Sequence, residues 1–507
     1  MTTQGTRTHA VSSQRMWLHV FIVSFLVYIV TAQRGVSWQD SGQFQWRLLT
    51  SDYWGDHGLA LAHPLYLAGA QLFAKLPFAQ PVALMNSFSG LGMAIALANI
   101  AVLLLTMTGK RWIALAGAAM LGVCHATWWL ATIAEVYTWS VAGLTAELLL
   151  LVALIRRPVV PTLCGLAIVS GLGLSIHDLA LLPVPAYLAL VVWLTATRRL
   201  PAWAPILAAA CYAVGASTFL AMVGHMAAQK GLAFALRSAL FGGYEAQVLN
   251  TAATWALRKE NAAIGALSFA NALLPFAVVG WRSYGSRLGT PTAVALGTVT
   301  ATQAVFVARY SVPDQFTFLL PTLAMLTIAA GIGMDVLAKQ SRSWRHLVMA
   351  AVLLSIIGPP VLYGSLPSLA RRLGITVERE RVLPWRDELR YWVVPWKHNE
   401  DSAERFASQA LRQASPDGII VADNTSSPPL RIVRSLCDST DVTIQSGDRP
   451  LPISSGNIGL VRSAAAGRTI WVVSPVRGNC PQLLLDNATF NRPPGGALYS
   501  LSWRNQR

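Results

Sequence analysis

Charge is scarce in this chain. Only 12% of its 507 residues are Asp, Glu, Lys or Arg and 54% are hydrophobic. The apolar residues run in repeated stretches of about 18 or more, the length that crosses a bilayer as a helix. That excludes an ordinary soluble protein and points to a multi-pass membrane protein. Cysteine is also rare: there are five, with no C-x-x-C pair and no metal-ligand spacing, so the sequence carries no zinc motif. Cys124, Cys164 and Cys211 fall in or near apolar runs, where a thiol serves as a small hydrophobe. Cys437 and Cys480 lie in the polar C-terminal part and are free to pair if that part is extracytoplasmic. Internal repeats and low-complexity tracts are absent.

The charge that is present is lopsided, with a net +16. In a soluble protein that would suggest nucleic acid, but the basic residues sit in short clusters between apolar runs: Arg7 and Arg15; Lys110 and Arg111; Arg156 and Arg157; Arg198 and Arg199; Arg282 and Arg287; Lys339, Arg342 and Arg345. This is the positive-inside pattern, and it accounts for the charge without a nucleic-acid partner. Placing every cluster in the cytoplasm predicts about eleven spans, near 16–33, 82–107, 112–130, 138–155, 159–176, 179–197, 201–223, 263–281, 290–308, 315–336 and 345–363. The N-terminus is then cytoplasmic, and 34–80, 224–262 and everything after 363 are external. The first span also has the basic flank and the small residues "VTA" of a signal peptide. Against that, its apolar run is long for such a segment and no helix breaker precedes the small residues.

Both long external segments mix apolar and charged residues and are predicted to lie in the interface, "LALAHPLYLAGAQLFAKL" as a helix interrupted at His63 and Pro64. After 363 the pattern changes. "SAERFASQALRQAS" has the apolar stripe of an amphipathic helix, "GIIVADN" reads as a buried strand ending in turn residues, and "NIGLV", "RSAAAG" and "TIWVVSP" continue the alternation. The expected organisation is a mainly α membrane helical bundle over 1–363, followed by a small extracytoplasmic α/β domain over 364–507.

Ionisable residues next to hydrocarbon are costly and mark candidate functional positions. They gather at the predicted outer ends of the spans: Asp40, Asp52, Asp56, His57 and His63, then Glu135, then His177 and Asp178, then Arg309 and Asp314. The topology rests on Lys and Arg alone, so this convergence of acids is independent support for one external site. Each position also has a plainer use. Asp40 suits a helix start, Glu135 a tie to a neighbouring helix, and His177 and Asp178 a satisfied buried pair between Gly173 and Pro183. Asp52, Asp56 and His57 suit a metal on paper, but Asp and His beside Gly are more often turn chemistry. Trp38, Trp46, Trp54, Trp128 and Trp129 suit interfacial anchoring, with sugar stacking open to one or two of them.

The blocks "WQDSGQF", "GLALAHPLY", "WWLATIAEVYTWSVAGL", "GLGLSIHDLALLPVP", "SVPDQFTFLLPTLAML" and "LPWRDELRYWVVPWKHNEDSAERFASQAL" occur in this order along most of the chain. In that they resemble the protein O-mannosyltransferase-like family of GT-C glycosyltransferases. The resemblance implies a GT-C type bundle and inverting transfer of a sugar from a polyprenyl-phosphate donor, at the outer leaflet, to an extracytoplasmic acceptor hydroxyl. It implies Asp40 as the catalytic base.

Such chemistry needs a carboxylate to take the acceptor proton and a cation or metal to stabilise the departing phosphate. The candidate substrate-binding residues are Glu135, His63, His177, Arg309, Asp314 and Lys397. Arg309 is the preferred phosphate partner because a guanidinium binds two oxygens at once; Lys397, Arg258 and Lys259 are alternatives. No metal ligands are assigned, although a divalent metal is compatible with the chemistry. Two departures stand out. Gln43 occupies the position where these relatives usually carry Glu, removing a second carboxylate, and "HPLY" lacks the Pro-Gly-Tyr-Pro that often follows the His-Pro. A transporter or flippase for a lipid-linked or small substrate is the competing function; it predicts charges near mid-membrane and related halves.

Overall fold

A computed structural model describes residues 3–249, 254–310, 312, 314–375, 383–437, 441–445, 447, 449–465 and 467–504. Residues 250–253 of the second external segment, Ser311 and Pro313 of the "SVPDQF" block, and the side chain of Arg7 lie outside this description.

The molecule is mainly helical and spans a membrane several times. Among the described residues, seven helical segments are long and apolar enough to cross a bilayer: Ser13–Thr31, Pro81–Thr108, Tyr137–Arg156, Asp178–Ala196, Thr290–Arg309, Gln315–Ala338 and Arg342–Arg372. The count rises to nine if each of two bent pairs is one span: Arg111–Gly122 with His125–Ala131, bent by 72°, and Ala204–Gly215 with Ser217–Lys230, bent by 77°. Among the described residues eleven is not reached by length and composition. The predicted span 159–176 is the 17-residue helix Val160–Ile176. The predicted span 263–281 is interrupted, because the helix Trp255–Leu267 stops and a new one, Leu273–Arg282, starts where Asn271 Oδ1 accepts from Leu273 N at 3.1 Å.

The bend after Gly122 frees backbone carbonyls inside the protein, and each finds a donor elsewhere. Tyr28 donates to Gly122 O at 3.0 Å, Tyr363 to Val123 O at 3.3 Å and Asn271 to Met120 O at 3.3 Å. A break at membrane depth is tolerable when neighbouring helices satisfy it in this way. The first helix, Thr3–Thr31, is an integrated part of the bundle: besides Tyr28, Trp17 Nε1 donates to Asn99 Oδ1 at 2.9 Å.

Helices Leu273–Arg282 and Leu319–Ala338 approach so closely that a Cβ on Gly280 would stand 1.8 Å from Ala329 O, and one on Gly333 1.9 Å from Phe276 O. This is small-residue packing, the substitute for hydrophobic driving force between helices in lipid.

Many ionisable groups gather at two poles, while Glu147, midway along Tyr137–Arg156 and accepting from the Tyr187 hydroxyl at 2.7 Å, belongs to neither. At one, Asp335 receives Lys110 at 2.9 Å, Lys339 at 2.6 Å and Arg287 at 3.9 Å. Asp314, just before the helical segment that leads to Asp335, belongs to the other. Twenty helical residues, Leu319–Ala338, separate them, about 30 Å at 1.5 Å per residue and so the thickness of a hydrocarbon core.

The helix Arg342–Arg372 continues nine residues past 363. Beyond it, the expected helix is present as Ser402–Ala414 and the expected strands as β1 (Ile419–Val421) and β3 (Ile470–Val472); with β2 (Thr443–Ile444), β4 (Ala488–Asn491) and β5 (Tyr499–Trp503) they form one sheet in the order β2-β1-β3-β5-β4. β1 is parallel to β2 and β3, while β5 is antiparallel to β3 and β4. "NIGLV" is not a strand but opens the helix Ile458–Ala465. Cys437 and Cys480 are not paired: both are free, Cys480 buried in the sheet core against residues such as Leu484, and Cys437 exposed at the end of the helix Ser427–Leu436.

Candidate active site

The stretch after the first span folds as a helix, Gln39–Thr50, that the polar residues had concealed. Asp40, Gln43, Phe44 and Arg47 recur at three- and four-residue spacing, the period of one helix face, and all four line a cavity of about 440 Å³. The opposite face anchors the helix. Gln45 Oε1 accepts from Ser37 N at 2.8 Å, and its amide donates to Asn86 Oδ1 at 3.1 Å. Asp40 sits in the first turn, where the unsatisfied backbone N–H groups favour a carboxylate. Its side chain is accessible, but to a cavity whose walls are aromatic: Trp129, Tyr137, Phe241, Tyr244, Tyr310 and Trp392 among them.

Arg47, one face-repeat further on, is buried and donates to four backbone carbonyls, those of Asp52 at 3.0 Å, Tyr53 at 3.0 Å, Leu61 at 2.9 Å and Ala62 at 2.7 Å. It therefore gathers the loop between the two external helices and, with it, His57 and His63 onto the cavity rim. His63 adopts a left-handed backbone (φ 51°) ahead of Pro64 and donates through Nδ1 to Ile176 O at 2.9 Å. That brings its ring onto His177, with centroids 4.9 Å apart. Burial and the neighbouring His177 and Arg47 hold His63 well below the usual histidine range, and burial pushes His177 down to about 4. Both rings are neutral at neutral pH.

Five carboxyls line the same space, and three of them, Asp40, Glu135 and Asp314, act on one another. Glu135 is buried between Ala131 and Tyr137, accepts from Ser41 Oγ at 2.8 Å, and has its backbone N–H bonded to Ser89 Oγ at 2.8 Å. Asp314 precedes the turn that leads into the helix Leu319–Ala338. Burial raises Asp40 above the ordinary carboxyl range, with His57 pulling it back in part. Burial, and then the charge of Asp40, push Glu135 well up and Asp314 up to about 7. Mutual repulsion and desolvation thus leave protons to be exchanged here near neutral pH.

No protein-family model matches this sequence, and no curated protein matches it. Solved structures do. ArnT from Cupriavidus metallidurans bound to undecaprenyl phosphate aligns over 99% of this chain and 98% of its own, with 13% identity and a TM-score of 0.55. Its apo form gives 0.52 at 12% identity, over 97% of this chain and 98% of its own. The arabinofuranosyltransferase AftD from Mycobacteria gives 0.51 at 11% identity, over 97% of this chain but 40% of its own. The chain shares the overall fold of ArnT and AftD.

In this fold Asp40, His63, Glu135, His177 and Asp314 come together around one cavity, and Gln43, Asp56, His57 and Asp178 join them. Two expected residues do not. Arg309 is exposed and lines a neighbouring groove of about 400 Å³ instead, which shares Leu182, Val248, Phe306 and Tyr310 with the main cavity. Lys397 is buried behind the wall, its ammonium donating to the Tyr391 carbonyl. Arg258 and Lys259 are exposed on the helix Trp255–Leu267, away from the cavity.

Asp52 accepts from Trp54 N and Gly55 N, each at 3.0 Å, which is the turn role and not a metal role. Among the described residues no three His, Cys, Asp or Glu side chains are arranged to hold one metal ion.

Sequence reasoning missed Arg47, although its i+7 spacing from Asp40 was there to be seen. Tyr244, Tyr310, Tyr391, Trp392, Asn424 and Thr425 also line the cavity. They arrive from distant segments and carry no local signal.

Proposed function

We propose that the protein is an integral-membrane glycosyltransferase that moves a sugar, with inversion, from a polyprenyl-phosphate donor to a hydroxyl of an extracytoplasmic acceptor, whether protein, lipid or glycan. The observation that carries this reading is an accessible, desolvated Asp40 in an aromatic-lined cavity joined to a groove in the lipid-facing surface. Val305, on that groove, is 57% exposed on a membrane-crossing helix, as a polyprenyl chain would require, and Arg309 stands where a phosphate could be met by a guanidinium.

In the step itself, the acceptor oxygen bonds to the anomeric carbon as its proton passes to Asp40. The bond from that carbon to the phosphate oxygen breaks, and its electron pair leaves on polyprenyl phosphate. A carboxylate raised toward neutral pH is the better base for such a proton. Glu135, His63 and Asp314 border the same cavity and are assigned to substrate contact. The basic pole around Asp335 supports a cytoplasmic face there, with the cavity and the C-terminal α/β segment outside the cytoplasmic membrane. Gathering of the cavity's ionisable groups at the opposite pole favours an enzyme over a transporter with mid-membrane sites.

The test is to incubate purified protein in nanodiscs with a panel of polyprenyl-phosphate sugars and envelope acceptors, with and without chelator. Release of polyprenyl phosphate together with a glycosylated acceptor is expected. Uptake of substrate into vesicles without product would instead support a transporter.

A further inference from the structure

Beside the cavity, two cations lie over one phenol ring. The Arg386 guanidinium carbon is 4.2 Å from the Tyr391 ring centroid and the Lys397 ammonium 4.4 Å from it. Both cations are withdrawn from water, the Arg386 side chain and Lys397 each being 2% exposed. They are not equivalent. Arg386 is matched by Glu388, with Nε to Oε1 at 2.8 Å and a nitrogen of the fork to Oε2 at 2.8 Å. Lys397 donates to the Tyr391 carbonyl, and among the described residues no carboxylate stands at ion-pair distance from it.

Burial pushes Lys397 down to about 7, with Glu400 pulling it back in part, and an ammonium kept in such a place is expensive. Tyr391 is the group through which that charge reaches the cavity. It lines the cavity, and the contacts it makes to Trp129, Lys397 and Arg386 run through its carbonyl and its ring rather than its hydroxyl. A cation over an aromatic face draws electron density from the ring, which strengthens the phenol as a donor and favours a negatively charged acceptor. The carboxyls of Asp40, Glu135 and Asp314 occupy the same cavity, so it holds both a place to receive a proton and a place to receive an anion.

We propose that the Tyr391 hydroxyl donates a hydrogen bond to an anionic phosphate oxygen in this cavity, with Lys397 and Arg386 as positioning residues that act through its ring. This rests on the glycosyl-transfer reading above. As the bond between anomeric carbon and phosphate oxygen breaks, the electron pair goes to the phosphate oxygen and Tyr391 keeps its proton, so no further reactant is needed. The assignment also gives the buried Lys397 a function from behind the wall.

The experiment measures binding of undecaprenyl phosphate and of uncharged undecaprenol to the full-length protein in nanodiscs. Wild type is expected to prefer the phosphate. Tyr391→Phe, which keeps the ring and its packing, is expected to lower phosphate affinity about 10-fold or more and leave undecaprenol unchanged. Lys397→Met, if folded by size-exclusion profile, should move the same ratio in the same direction, and Tyr391→Phe alone decides the matter if it is not folded. An unchanged ratio in Tyr391→Phe, or an equal loss for both lipids, overturns this proposal and leaves the glycosyltransferase reading standing. A wild type that does not distinguish the two lipids overturns both.

Discussion

Asp314 shows how a single carboxyl can be read for its effect on both stability and chemistry. Its pKa is pushed up to about 7 by burial and by Asp40, against an unfolded value of about 4. An acid raised in this way costs the folded state nothing below the unfolded value. The cost grows as pH climbs between the two values and is constant above the higher one. Asp314→Asn removes it. The variant is expected to match wild type near pH 4 and to be more stable at pH 8 by about 1–3 kcal/mol, the full shift being discounted because the group is only half-buried. Thermal unfolding at both pH values checks this, and a difference that does not change with pH would contradict it.

Arg47 carries a different kind of prediction. Four of its N–H groups are committed to loop carbonyls, so Arg47→Met leaves buried acceptors unmatched at about 1–3 kcal/mol each. Faster amide exchange and proteolysis within 51–63, ahead of any change in the helical bundle, is the expected sign.

At the scale of elements, what could be read in the sequence followed from local pattern. Apolar runs located nearly every crossing, and the interruption at His177 and Asp178 was visible because Gly173 and Pro183 flank it. The bends after Gly122 and Gly215 were not visible, since they depend on contacts from other helices: Tyr28, Asn271 and Tyr363 supply the donors at the first. At the second, a Cβ on Gly215 would stand 2.3 Å from Ile168 O on a neighbouring helix. The helix Gln39–Thr50 was hidden for the opposite reason. Its polar residues look like a loop, yet they are one helix face turned toward a cavity that only the tertiary fold creates.

The glycine crossing gives the element-scale prediction. Gly333→Val sets a branched side chain where a Cβ alone meets Phe276 O at 1.9 Å. The two helices must then separate, at a cost of at least about 1–3 kcal/mol, read as a lowered unfolding temperature in detergent. Gly224→Val, which meets nothing within 4 Å, is the control expected to change little.

At the scale of the whole molecule, the site is a joint product of the bundle and the C-terminal segment. Gln39 N donates to Thr425 O at 3.2 Å, Trp38 Nε1 donates to Ser402 Oγ at 2.8 Å, and a Cβ on Gly42 would come within 3.0 Å of Pro428 and 2.3 Å of Ser37 O. The residues on either side of Asp40 are thus held by the chain that follows the last long helix, which local sequence pattern could not disclose. Gly42→Leu is expected to loosen that contact, so that limited proteolysis releases the C-terminal segment faster while the helical core stays intact.

The central claim is that Asp40 takes the acceptor proton in this cavity. The direct measurement compares wild type and Asp40→Asn in nanodiscs, following release of polyprenyl phosphate from a lipid-linked sugar that wild type uses, with lipid binding as the check on folding. The account predicts that Asp40→Asn still binds polyprenyl phosphate and loses transfer by about a hundredfold or more. Transfer at the wild-type rate in a correctly folded variant would contradict it.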